Sequence, residues 1–251
     1  MPSDARGMSA PLTALLAGLA VCALAQAVPN SPERLQALTR LPDWSGVWEL
    51  DGSAATIEPA TASATDGTVR DHAPYTQAWE AKYEQTRAQL PTLRDSYERY
   101  CAAGVPRLMG SDIRFVALVT PEETLLNFAS REIRHIWTDG RNHPPADELW
   151  PMHWGDSIGH WEGQTLVIDT VSIIGDLWLD PTGATLSDQA HITERLTMSD
   201  RNHLRDDILI TDPQALARPW GFTRTYHRAP TKELAEKPCA WHPGEAARES
   251  R

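Results

Sequence analysis

The sequence predicts a mainly β protein: an antiparallel up-and-down barrel of eight or nine strands, preceded by an N-terminal helical extension. Three observations predict it. After Gly104 the chain alternates short β-branched and aromatic runs with tight turns. Upstream, Trp79, Tyr83 and Leu90 fall near a 3.6 period, so one helix covers roughly 75–90, with Pro74 suited to its first turn and a second short helix running to Tyr100. A meander of so many hairpin-linked strands removes its exposed edges by closing on itself, although an open two-sheet sandwich satisfies the same pattern.

Residues 12–24 form an apolar run too short to span a bilayer comfortably, and Ala25-Gln26-Ala27 has the form of a signal-peptidase site. Residues 1–27 are therefore expected to be a signal peptide, with cleavage before Cys22 as a lipoprotein the alternative. The mature chain is expected to be exported, periplasmic or secreted. Residues 28–103 then form the extension, 104–230 the barrel and 231–251 a tail. Within the extension, 28–43 is a Pro-containing leader, 43–50 a short strand-like patch and 51–73 a surface loop rich in Ala, Thr, Ser and Gly.

The expected barrel strands are 113–119, 124–129, 133–138, 158–162, 165–171, 190–198, 204–210 and 220–226. Gly163-Gln164 places Gly where a type II′ hairpin requires it. Ser199-Asp200-Arg201-Asn202 joins the strands around it, and Asp212-Pro213 stops the one before.

Composition excludes several partners. The 251 residues carry 23 Lys and Arg against 34 Asp and Glu, a formal charge of −11. No basic stripe is visible, so neither nucleic acid nor an anionic membrane surface is an expected partner. Beyond residues 12–24 no window reaches transmembrane length, so no integral membrane span is expected. Ten Trp outnumber five Tyr and three Phe together, which favours cores, interfaces and ligand pockets.

Beyond the signal segment two cysteines remain, Cys101 and Cys239, and in an oxidising compartment such a pair is expected to be joined. A bridge closing so long a loop contributes up to about 4–5 kcal/mol in the chain-entropy model. Thiol titration of the purified, unreduced, unfolded protein should find no free thiol from this pair. Two would remove the bridge.

Ser45-Gly46-Val47-Trp48 resembles the Gly-x-Trp that opens the first strand of lipocalin-like (calycin) barrels. That resemblance implies a basic residue of the last strand covering the Trp, a role open to Arg224 or Arg228. The runs Ile136-Trp137-Thr138-Asp139-Gly140-Arg141-Asn142-His143-Pro144 and Trp154-Gly155-Asp156-Ser157-Ile158-Gly159-His160-Trp161-Glu162-Gly163, with Ser187, His191, Glu194-Arg195 and Asp212-Pro213, are similar to a family of exported bacterial proteins. This second resemblance implies export and a barrel, and carries no reaction.

Polar residues that interrupt an apolar strand face are the informative ones. One face of 190–198 reads Ile192, Glu194, Leu196, Met198; one face of 204–210 reads Leu204, Asp206, Ile208, Ile210; the last strand aligns Trp220, Phe222, Arg224 and Tyr226. A three-residue loop sets Glu194 opposite Asp206, whereas a five-residue loop pairs Met198 with Leu204 and offsets the acids. Either Arg224 neutralises the acids in a core network, or the three line a ligand cavity where a carboxyl moves a proton. In the 158–171 hairpin, Ile158, His160, Glu162 and Asp169 share one face; Trp161, Leu166, Ile168 and Thr170 share the other, expected to point inward. His160 and Asp169 are either an acid–base pair or a solvated face. The loop 139–157 carries Asp139, Arg141, His143, His153, Asp156 and Ser157. No zinc spacing occurs, so no metal is expected. Ser157 lacks the strand–turn–helix context of a nucleophile elbow, which argues against a serine hydrolase.

The expected partner is thus a small apolar or aromatic molecule, with no cofactor. The catalytic candidates are Glu194, Asp206, His160 and Asp169. The ligand-binding candidates are Arg224, Arg141, Trp161, Trp220, Tyr226 and His191. Two functions stay open: a cofactor-independent isomerase, lyase or cyclase, and a non-catalytic carrier.

Overall fold

The computed structural model describes residues 31–51, 73–93, 104–105, 113–179 and 183–237. The expected signal segment, Cys101, Cys239 and the expected helix running to Tyr100 lie outside these residues. Among the described residues no helix is long and apolar enough to cross a membrane.

The described fold is mainly β. Nine strands form one sheet that rings round until its ends meet: β1 (Val47–Leu50), β2 (Phe115–Val119), β3 (Glu123–Phe128), β4 (Ile133–Trp137), β5 (Asp156–Glu162), β6 (Thr165–Val171), β7 (His191–Asp200), β8 (His203–Thr211) and β9 (Trp220–Arg228). β1 closes the ring by pairing antiparallel with both β2 and β9. One seam departs from the expected up-and-down pattern. β4 and β5 run parallel and meet at a single pair, Trp137 with Ile158. The long connection 138–155 is the reason, since it carries the chain back far enough to start β5 in the direction of β4.

Among the described residues two helices precede or interrupt this sheet. α1 (Pro32–Leu38) falls within the segment read as a Pro-containing leader, where no helix was expected. Its signal is local: Ser31 accepts from the Arg34 amide at 3.2 Å, Pro32 opens the first turn and Glu33 lies within it. α2 (Gln77–Leu93) matches the helix expected over 75–90, displaced by two or three residues. Tyr83 and Trp79 pack on the apolar cluster of Ile192, Ile210 and Trp220, where β7 begins, β8 ends and β9 begins. Trp79 Nε1 donates to the Thr185 carbonyl at 3.1 Å, and the Tyr75 hydroxyl donates to the same oxygen at 2.7 Å.

The β5–β6 hairpin turns as expected, with Gly163 at φ +63° and Glu162 opposite Thr165. Asp212 holds the β8–β9 connection. Its buried carboxylate accepts from the Ser187 amide and hydroxyl, both at 2.7 Å, and from the Ala215 amide at 2.9 Å.

The Gly-x-Trp segment builds the other end. Trp48 is fully buried and donates through Nε1 to the Trp44 carbonyl at 3.0 Å. Arg228, rather than Arg224, covers it, with the guanidinium 4.6 Å from the ring centre and Nη2 donating to the Asp43 and Arg201 carbonyls. Gly46 allows this approach: at φ +105°, any Cβ there would stand 2.8 Å from Arg228 Nη1.

Candidate functional site

β7, β8 and β9 each pass from one apolar cluster to another inside the ring, and each carries an ionisable residue at the crossing. Glu194 lies between Ile192 of one cluster and Leu196 of the other; Asp206 lies between Ile208 and Leu204, and Arg224 between Phe222 and Tyr226. The three form a polar layer separating two apolar ones. All three are buried, Glu194 and Asp206 completely.

The β7–β8 register resolves the alternative left open by the sequence. Met198 faces Leu204, so Glu194 stands opposite Ile208 and Asp206 opposite Leu196. A register irregularity between Met198 and Asp200 lets this pairing coexist with a tight turn at Arg201-Asn202. The acids are consequently offset along the strands.

The partner of Glu194 is a residue the sequence reading did not single out. Arg134 of β4 reaches across the ring interior to β7, donating through Nη1 to Glu194 Oε1 at 3.0 Å and through Nη2 to Oε2. Nη2 also donates to Thr170 Oγ1 at 3.1 Å, and that hydroxyl lies 2.8 Å from Ser157 Oγ. Arg134 escaped notice because Ile133 and Trp137 crowd the opposite face of β4. The signal that exposes it is the pairing of Arg134 with buried Leu126, since residues facing each other across an antiparallel pair share a side. The expected grouping of two acids around Arg224 is therefore corrected: Arg134 holds Glu194 by a bidentate fork.

Asp206 has a different environment. It is completely buried, Arg224 is its cross-strand neighbour on β9, and neither carboxyl oxygen has a hydrogen-bond partner among the described residues. Burial pushes its pKa well above the ordinary aspartate value, and repulsion from Glu194 adds to this against the opposing fields of Arg224 and Arg134. Tyr226, also buried, is pushed up mainly by burial and then by Asp206. Its ring meets Phe115 edge-on at 5.4 Å.

No family model matches this chain, and no curated protein matches it.

The remaining sequence candidates lie elsewhere. His160 is exposed and sits 3.2 Å from Glu162, so it forms no pair with Asp169. Asp169 instead contacts His191 and lies 3.4 Å from His143 Nε2, while Asp156 holds His143 Nδ1. This chain of two imidazoles and two carboxylates runs along the outer face, and His191 belongs to it rather than to the interior. Among the described residues no three His, Cys, Asp or Glu groups are arranged to hold a metal ion. Arg141 pairs with its neighbour Asp139 and lies 4.0 Å over the Trp137 ring, also outside. The Arg141 guanidinium holds the Asp139 carboxyl below its ordinary range. Trp161 packs edge-on to Trp44 at 5.2 Å, and Trp220 tilts against Phe222 at 5.2 Å, at opposite ends of the ring. A surface groove of about 360 Å³ lined by Glu49, Arg114 and Glu236 contains none of the residues singled out from sequence. Of the ten candidates, Glu194, Asp206, Arg224 and Tyr226 converge.

Proposed function

We propose that this chain is an exported, lipocalin-like barrel whose interior binds one small apolar or aromatic molecule, with the polar end of that molecule at the Asp206–Arg224 layer. The observation that carries the reading is Asp206. A buried carboxyl without a hydrogen-bond partner costs roughly 1–3 kcal/mol, and a catalytic or binding role is one reason a native protein keeps such a group. The tolerance has a use if an incoming ligand supplies the missing bond. Apolar walls on both sides of a narrow polar layer are the usual make-up of a small-molecule site. Arg228 over Trp48, with Gly46 beneath it, supports the lipocalin-like assignment of the barrel.

A second reading is favoured by one observation, the pKa of Asp206 raised by burial. A carboxyl that holds its proton above the ordinary aspartate range is a candidate proton donor, and the same interior would then serve a cofactor-independent isomerase, lyase or cyclase. Glu194, with both oxygens committed to Arg134, is not available for this step.

Native mass spectrometry of the chain purified from its own exporting host should show a bound molecule in a one-to-one adduct, lost on unfolding. Asp206→Asn should separate the readings. Turnover of the recovered molecule that vanishes while binding persists marks an enzyme, whereas unaltered ligand recovered from both proteins marks a carrier. A wild-type chain free of any adduct, and unresponsive in tryptophan fluorescence to small aromatic probes, would overturn the binding proposal.

A further inference from the structure

We propose that the C-terminal segment after Lys237 docks back on the outer face of β2, β3 and β4, with the Trp241 side chain seated among Leu118, Leu125 and Ile133. The pairing of these strands sets the apolar groups side by side. Val116 faces Asn127, which faces Ile133, and Leu118 faces Leu125, which faces His135. Leu118 is 59% exposed and Ile133 45%, while Val116 and Leu125 are half-buried. On β6 to β9 the outward positions are mostly polar, among them Asp169, Thr193, Arg195, Asp207 and Thr223. An apolar patch on such a wall marks a contact surface.

The course of the chain selects what covers it. Beyond β9 the Ala229 amide donates to the Val47 carbonyl of β1 at 2.7 Å. Ala235, Glu236 and Lys237 then line the groove that holds Glu49 and Arg114. Glu236 pairs with Arg131, and the Lys237 amide donates to the Ala129 carbonyl at 2.8 Å. The chain therefore passes β1 and β2 and arrives at the β3–β4 turn, and Ile133 opens the strand that leaves this turn. Trp241 is the one large apolar side chain in 238–251. It follows Lys237 closely enough that, at ~3.3 Å per residue, it lies within about 13 Å of that anchor. Neighbouring strands are about 4.8 Å apart, so the patch is in range. Seating the indole removes about 150–250 Å² from water, which is the gain that orders the segment.

The purified full chain labelled with 5-fluorotryptophan tests this by fluorine NMR, the Trp241 resonance being assigned from its loss in Trp241→Phe. A soluble gadolinium chelate should relax that resonance weakly in the wild type, and several-fold more strongly in the double variant Leu118→Glu with Ile133→Glu. Trp241→Ser leaves the face itself intact and should raise the binding of 8-anilinonaphthalene-1-sulfonate several-fold, a readout that stands even should the double variant fail to fold. A Trp241 resonance as accessible in the wild type as in the double variant overturns the proposal, and so does unchanged dye binding in Trp241→Ser. A wild-type dimer in sedimentation velocity, broken by the double variant without any change at Trp241, also overturns it and makes this face a contact between copies of the chain.

Discussion

Glu194→Leu is expected to destabilise the protein by about 3–5 kcal/mol, seen as a lower urea midpoint with little change in slope. The side chains of Arg134 and Glu194 are 0% and 1% exposed, so neither charge has water to fall back on. Removing the carboxylate leaves a guanidinium that cannot shed its proton inside an apolar ring. Arg134→Met should cost less, because the carboxyl it leaves behind can be protonated, and the difference between the two variants should widen as pH falls. The double replacement Arg134→Met with Glu194→Leu should recover much of the loss, since a packed apolar pair substitutes well for a buried ion pair. A single Glu194→Leu variant within 1 kcal/mol of wild type would show that the fork contributes nothing net.

Stability should fall as pH rises through the titration of Asp206, and Asp206→Asn should remove that fall. The sign follows from proton binding. The folded-state pKa of Asp206 lies well above the ordinary value of 3.8, so between the two the folded protein holds a proton that the unfolded chain has released. The stabilisation is fully present below the unfolded value and is lost as pH climbs towards the folded one. Its steepest slope is about 1.4 kcal/mol per pH unit. Denaturant midpoints of wild type and Asp206→Asn, compared at each pH from acid to mildly alkaline, isolate this group from other titrations. A constant difference between the two proteins across that range would mean that Asp206 holds its proton no more tightly in the folded protein than in the unfolded chain, and the proton-donor role would fail with it.

Much of the architecture was legible because hairpin-linked strands announce themselves locally. Alternation placed Trp220, Phe222, Arg224 and Tyr226 on one inward face, and all four are buried. The II′ turn at Gly163 set the β5–β6 register without help from the rest of the chain. The parallel seam at Trp137 and Ile158 was hidden, because nothing in a long connection states the direction in which the chain returns. α1 was hidden for a different reason: its seven residues are too few for a period to show, although Ser31 and Pro32 mark its start.

By itself, the sequence determined which residues of β7, β8 and β9 face inward, since a period of two is a property of any strand, and so placed Glu194, Asp206 and Arg224 on one wall. Only the tertiary structure decided what those groups do to one another. Closure of the sheet brings Arg134 from β4 across to Glu194 on β7, a contact between residues 60 positions apart. The same closure leaves Asp206 without a hydrogen bond among the described residues, and sets His191 and Asp169 beside His143 on the outer face. Charge and burial are read along a strand, whereas partnership depends on which strands the ring sets face to face.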